Sequence, residues 1–282
     1  MPVAPSVNMS LVTSDASPDS SPLDLDPRTR QFYLDSMRIL DDAPVETLVG
    51  GAYALAQHAG IIRHTKDFDV FLRRRDLGAA REAFEACGYR TELVFPHWLG
   101  KAFLPHSDAF VDIIFGSGNG LCEVDDQWFE HAVAGRVFER PARLVPPEEV
   151  IWTKAFVQER ERFDGADIAH IILARGRELN WARLINRFQG HEPVLLAHLV
   201  LFRYIFPGSR DNVPQPVIDQ LQQTAAEDGQ RDGKICRGTL LSRAQYLADI
   251  GDHGYRDARL SPNGGMRPED VAHWTAAIGT IK

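Results

Sequence analysis

Two aspartates stand one residue apart in an otherwise apolar stretch, KDFDVFL at 66–72. In a strand, alternate side chains point to the same face, so Asp67 and Asp69 would share one face and Phe68 and Val70 the other. Two carboxylates at this spacing repel each other unless a cation stands between them, and divalent cations such as Mg²⁺ prefer oxygen ligands. The pattern therefore predicts a metal-binding pair.

A third aspartate, Asp112, interrupts a second apolar stretch, FVDIIF at 110–115. If the two stretches are neighbouring strands, all three carboxylates meet. Such a set can hold two Mg²⁺ or Mn²⁺ ions roughly 3.5 to 4 Å apart, an arrangement that activates an attacking oxygen and neutralises a phosphoryl group in transit. We therefore expect Asp67, Asp69 and Asp112 to be both metal ligands and catalytic residues.

A glycine pair, Gly50-Gly51, follows a short predicted strand, Val45–Val49, and precedes the helical pattern AYALAQHAG. Backbone N–H groups at a helix N-terminus face anions favourably, and glycine lets a phosphate approach closely. We interpret the pair as a phosphate-binding turn beside the acidic strand.

Local patterns also predict the elements that position these residues. Asp26-Pro27 is typical of a helix start, Gly60 of a helix end, and KAFLP and FVDIIF of two strands of a hairpin. Together they indicate an α/β fold with a mixed sheet up to about residue 145. The predicted strands are Val45–Val49, Lys66–Leu72, Tyr89–Phe95, KAFLP and FVDIIF, and Asp76 is the expected cap of a helix ending near Gly88.

Helical periodicity dominates after Pro146, beginning with PPEEVIWTKAFVQERER. The stretch HEPVLLAHLVLFRYIFP at 191–207 is too short for a membrane span, which needs about 20 apolar residues, and we interpret it as a buried helix. The predicted organisation is a disordered tail (1–25), an α/β core (26–145), a helical domain (146–228) and a loop-rich C-terminal region (229–282).

Composition limits the classes of function. The formal net charge of -8 argues against non-specific coating of nucleic acid, which requires a surplus of Lys and Arg. The three cysteines are widely spaced and indicate neither a disulfide framework nor a thiolate zinc site. Because the first residues lack a signal-peptide pattern, we expect a cytoplasmic protein without a membrane partner.

The order of these motifs resembles the nucleotidyltransferase superfamily of DNA-polymerase-β type. More closely, GGAYAL followed by RHTKDFDVF is similar to the group that includes AbiEii-type and minimal nucleotidyltransferases. PPEEVIWTKAFVQERERFDGADIAHII resembles the helical lysine segment and the following Arg/Asp segment of that group. The resemblance implies a polymerase-β-like domain with a mixed sheet, followed by a helical C-terminal domain. It also implies nucleotide-binding roles for Gly50, Gly51, Arg63, Thr65, Lys154, Arg162, Asp164 and Asp167.

The resemblance further implies Mg²⁺- or Mn²⁺-dependent transfer of a nucleoside monophosphate from a nucleoside triphosphate such as ATP, with release of pyrophosphate. Lys154 would neutralise the β- and γ-phosphates. The acceptor is open among a small molecule, a protein hydroxyl and an RNA end.

Two alternatives stay open. The first is a non-catalytic nucleotide-sensing or partner-binding protein of the same fold, such as a toxin–antitoxin component. The second is a metal-dependent D-x-D glycosyltransferase, which would place a longer Rossmann-like segment before the acidic pair and would need neither Gly50-Gly51 nor Asp112.

Overall fold

A 7-stranded mixed sheet lies at the centre of the structure, with strand order β3-β4-β5-β2-β1-β7-β6. The computed structural model describes residues 25–62, 65, 67–227 and 233–277. Residues 1–24 of the predicted tail lie outside this range. The strands are β1 (Leu48–Val49), β2 (Asp67–Phe71), β3 (Arg90–Phe95), β4 (Leu99–Phe103), β5 (Phe110–Ile114), β6 (Val133–Val137) and β7 (Arg140–Leu144), with β8 (Ile235–Cys236) and β9 (Arg256–Asp257) in a separate pair.

Helices pack on both faces of the sheet, as the α/β prediction requires. One hydrophobic cluster joins the strand face that carries Phe68 and Val70 to the first three helices. A second cluster joins Leu48 and Leu55 to the helices that follow Pro146. The helices are α1 (Pro27–Asp42), α2 (Gly51–Ala59), α3 (Leu77–Ala86), α4 (Asp126–Glu130), α5 (Pro147–Ala155), α6 (Gly165–Arg175), α7 (Trp181–Arg187), α8 (Glu192–Ile205), α9 (Gln215–Glu227), α10 (Leu247–Gly251) and α11 (Pro268–Ala276).

Several predicted element ends are confirmed at the level of single hydrogen bonds. The Asp26 side chain accepts from the Thr29 backbone N–H at 2.9 Å, and Pro27 begins α1. Gly60 ends α2 in the left-handed conformation, with a φ of 69°, and donates its N–H to Ala56 O. Caps of this kind satisfy backbone groups that the helix leaves without partners.

Two local predictions are wrong. The first strand is only Leu48–Val49, because residues 43 to 45 form a turn in which Val45 N–H donates to Ala43 O at 2.8 Å. Asp76 does not cap α3 through its side chain, because it ends a 3₁₀ turn with helical backbone angles rather than the extended ones that a cap needs.

The chain after Pro146 is helical up to Glu227, but α5 ends earlier than predicted, at Ala155. The interpretation of 191–207 as a buried helix is correct for one face of α8 only. Leu195 and Leu199 are fully buried, whereas Val200 is 53% exposed and Tyr204 83% exposed. Periodicity could not show this because α8 is apolar on both faces. The boundaries between the proposed domains stay a prediction.

The C-terminal region contains more regular structure than the sequence indicates. Helix α11 places Trp274 edge-on against Phe95 and Trp98, so this region covers part of the sheet. No helix in the described ranges is long and apolar enough to cross a membrane.

Candidate active site

Strands β2 and β5 are parallel neighbours, and their register places Asp69 directly opposite Asp112. Asp67 lies two residues before Asp69 in β2 and on the same face, while Phe68 and Val70 are buried on the opposite face. The prediction that the three carboxylates lie on adjacent strands and share a face is therefore confirmed. We call Asp67, Asp69 and Asp112 the acidic cluster.

The glycine pair lies against this cluster. Gly50 donates its N–H to Asp69 O at 2.9 Å, which ties the end of β1 to β2. Gly51 has a φ of 55°, and a Cβ built there would stand 1.7 Å from Asp69 Oδ2. Only glycine fits this position, because any side chain would both strain the backbone and collide with the carboxylate. The Gly50 N–H is thus engaged by protein, so this part of the predicted phosphate-binding turn instead joins β1 to β2.

Asp69 has the most unfavourable surroundings for a charge in the acidic cluster. Burial raises the pKa of Asp69 to about 7, and the charges of Asp112 and Asp67 add to the rise. Lys154 and Arg162 oppose it. Within the described residues, neither Asp67 nor Asp69 has an ion-pair partner. The pKa shift indicates a site short of positive charge.

Asp112 differs from its two neighbours because Lys101 lies opposite it on β4. Lys101 Nζ is 2.7 Å from Asp112 Oδ1, and the two side chains are only 16% and 14% exposed. Burial still raises the pKa of Asp112, with Lys101 opposing and Asp67 adding to the rise. Lys101 was not among the predicted residues, although a lysine in the apolar run LGKAF is as unusual as an aspartate in FVDIIF.

Four residues assigned by resemblance form a second charged group, the Lys154 cluster (Lys154, Arg162, Asp164 and Asp167). Lys154 Nζ is 2.8 Å from both Asp164 Oδ2 and Asp167 Oδ2, and Arg162 binds Asp164 through two nitrogens. Burial would raise the pKa of Asp164, but Arg162 and Lys154 outweigh it and hold the pKa at about 2. The charges of Lys154 and Arg162 also act on the acidic cluster, because both lower the pKa of Asp69.

Thr65 and Arg63 were expected just before the acidic strand. Thr65 Oγ1 donates to Asp67 O and accepts from Asp67 N–H, both at 3.2 Å, and so holds the start of β2. This hydroxyl positions the backbone of Asp67. Arg63 lies outside the described residues.

The donor chemistry of the acidic cluster fits one divalent cation. In the part of the chain that the structure describes, no group of three or more His, Cys, Asp or Glu side chains could hold a metal ion unaided. Mg²⁺, however, is usually held by one or two carboxylates together with substrate phosphates and water. Asp67 and Asp69 match that pattern.

No protein-family model matches the chain, and no curated protein matches it. Among solved structures, the antibiotic-resistance factor ANT(2'')-Ia is 18% identical, with a TM-score of 0.42 over 62% of this chain and 98% of that one. The lincomycin-bound lincosamide antibiotic adenylyltransferase LnuA is 13% identical, with a TM-score of 0.36 over 52% of this chain and 97% of that one.

An antigenic nucleotidyltransferase-like protein from Paracoccidioides brasiliensis is 16% identical, with a TM-score of 0.40 over 68% of this chain and 95% of that one. Nucleotidyltransferases are thus among the solved structures similar to this chain. At these TM-scores the similarity carries no argument about activity, which has to come from the residues of the site.

Proposed function

We propose that this protein is a metal-dependent nucleotidyltransferase that transfers a nucleoside monophosphate from a nucleoside triphosphate to an acceptor and releases pyrophosphate. The observation that supports this function most is the β2–β5 register, which sets Asp69 beside Asp112 and places Gly51 against the Asp69 carboxylate. A structural role alone does not account for three carboxylates gathered with a single ion-pair partner among the described residues.

Asp67 and Asp69 are the residues that would hold Mg²⁺ or Mn²⁺, which when bound would neutralise the phosphates and orient the triphosphate. Asp69 would be ionised with such a cation bound, because positive charge lowers the pKa of a neighbouring carboxyl. The amides at the start of α2 would face phosphate oxygens, helped by the positive end of the helix dipole.

Asp112 is the proposed general base. In the transfer step, an acceptor oxygen forms a bond to the α-phosphorus while the bond from that phosphorus to the bridging oxygen breaks, and pyrophosphate leaves with the electron pair. The acceptor's proton passes to the Asp112 carboxylate, which Lys101 holds in place through a 2.7 Å contact with Oδ1.

Lys154 is the proposed ligand of the β- and γ-phosphates. An ammonium has three N–H donors, of which Asp164 and Asp167 accept two and fix the direction of the third. Held in this way, Lys154 loses little freedom when it binds the leaving pyrophosphate.

The direct test incubates the protein with Mg²⁺ and each of the four α-labelled nucleoside triphosphates, with pools of small molecules, proteins and RNA as acceptors. We expect transfer of label by the unmodified protein, loss of transfer in Asp67→Asn/Asp69→Asn, and no loss in Asp41→Asn, a 60% exposed aspartate paired with Arg140. Mg²⁺-dependent nucleotide binding without transfer would favour the non-catalytic alternative. Absence of both binding and transfer would exclude the proposal.

A further inference from the structure

The Lys101–Asp112 pair lies where a second metal ion would otherwise be expected. The antiparallel register of β4 and β5 places the two residues directly opposite each other, so the backbone itself brings the ammonium to the carboxylate. The 2.7 Å separation of Lys101 Nζ and Asp112 Oδ1 leaves no space for another cation between them.

The surroundings keep this ammonium in place. Lys101 Nζ lies 3.3 Å from the centre of the Phe110 ring, whose face attracts cations. The side chain is 16% exposed, so little water competes for its charge. Lys101 is therefore a fixed part of the site and differs from a mobile surface lysine.

The positions of the carboxylates lead to the same number of ions. With one divalent cation on Asp67 and Asp69, the third carboxylate of the cluster, Asp112, already has the Lys101 ammonium 2.7 Å from its Oδ1. Two ions in a two-metal site stand roughly 3.5 to 4 Å apart, so a second divalent ion on Asp112 would also stand close to Lys101 and be repelled by it.

We propose that Lys101 takes the place of the acceptor-side metal ion, so that this site binds one divalent cation where a two-metal site would bind two. The inference rests on the proposed function, because it assumes that Asp67 and Asp69 bind a metal with a nucleotide. Lys101 is a positioning residue in this scheme: its contact with Oδ1 fixes the orientation of the Asp112 carboxylate.

The test counts bound Mn²⁺ in the presence of a mixture of the four α,β-methylene nucleoside triphosphates, which bind without transferring. Equilibrium dialysis gives the number of ions per chain, and the electron paramagnetic resonance signal of free Mn²⁺ gives it independently. We expect one Mn²⁺ per chain in the unmodified protein and two in Lys101→Met, whose Asp112 no longer has a protein cation.

Lys234→Met is the matched control, because Lys234 also lies over an aromatic ring, that of Tyr255, and contacts none of the three aspartates. This control should bind one ion. Lys101→Gln, which keeps a polar side chain, should bind two and replaces the methionine variant if that variant fails to fold.

Two Mn²⁺ ions in the unmodified protein would overturn the inference and leave the proposed function standing. One ion in both Lys101 variants would overturn it as well, because the charge of Lys101 would then not decide the count. No bound Mn²⁺ in the unmodified protein would overturn the proposed function together with the inference.

Discussion

Acidic side chains gather in two regions of this molecule with opposite results. In the network between α4, α5 and α7, Glu148 and Glu149 both bind Arg183. Arg187 binds Glu149 at 3.1 Å and clamps Asp125 with two nitrogens, at 2.6 and 2.9 Å. Each carboxylate of this helix network thus has an arginine partner.

Among the residues that the structure describes, the acidic cluster on the sheet has one ion-pair partner, Lys101, for three carboxylates. Burial acts on carboxyl groups in both regions, but the arginine contacts of Asp125 outweigh it and lower the pKa of Asp125, whereas the pKa of Asp69 rises to about 7. Paired buried charges hold helices together, while unpaired ones cost stability and are tolerated where a ligand completes them. Charge balance therefore separates the structural region from the candidate site.

The largest expected effect is the loss of nucleotidyl transfer when one carboxylate of the acidic cluster is neutralised. Asp69→Asn should lower nucleotidyl transfer at least about a thousand-fold, equivalent to about 4 kcal/mol, because the cation loses a ligand. Initial rates with the labelled nucleoside triphosphates measure this, and circular dichroism checks the fold. A variant that keeps more than a tenth of the rate would remove Asp69 from the site.

The helix network should respond in stability. Arg183→Met leaves Glu148 and Glu149, which are 7% and 0% exposed, without their shared partner, and should cost about 3 to 5 kcal/mol of unfolding free energy in urea. Transfer per folded molecule should stay within about threefold. The control Arg38→Met removes an exposed pair with Asp35 and should cost at most about 1 kcal/mol. Equal losses of unfolding free energy in the two variants would contradict the stabilising role of the helix network.

Substitutions of the glycines at the two ends of α2 can distinguish the effect of backbone strain from the effect of a side chain that contacts Asp69. Gly51→Ala and Gly60→Ala both place alanine at positive φ, at a cost of about 1 to 2 kcal/mol. Only the Gly51 Cβ meets the Asp69 carboxylate, since nothing lies within 4 Å of a Cβ at Gly60. We expect at least about tenfold weaker nucleotide binding in Gly51→Ala and unchanged binding in Gly60→Ala, measured by calorimetry. Equal effects would show that Gly51 serves the backbone alone.

The last prediction is a dependence of stability on pH. With its pKa raised to about 7, folded Asp69 keeps a proton that the unfolded chain has already released above about pH 4. Stability should therefore fall as pH rises from about 4 to 7, by up to a few kcal/mol at about 1.4 kcal/mol per pKa unit. In Asp69→Asn this contribution should disappear, and in the unmodified protein Mg²⁺ with nucleotide should reduce it. Urea unfolding across this pH range measures the slope, and an identical slope in both proteins would refute the assignment.

Features that depend on near neighbours in the chain could be predicted well. The alternation of Asp67, Phe68, Asp69 and Val70 correctly separated the two faces of β2, because strand geometry sets that period. The same holds for the start of α1 and the end of α2. These depend on hydrogen bonds within a few residues, which the sequence contains in full.

Features that depend on distant pairing could not be derived in this way. The sequence indicated that Asp112 belongs with Asp69, but the register that sets them side by side arises from packing of the whole sheet. Lys101 was missed for the same reason, since its importance depends on lying opposite Asp112. Which face of α8 is exposed likewise depends on which helices pack against it.

Residue types and local spacing thus sufficed to predict which groups the candidate site contains: carboxylates on one face of a strand and a glycine turn beside them. Which carboxylates receive a protein cation and which are left for a ligand depended on the three-dimensional arrangement. The reason is physical, because the free energy of a charge is set by the groups that surround it in space, and strand pairing and helix packing bring those groups from distant parts of the chain.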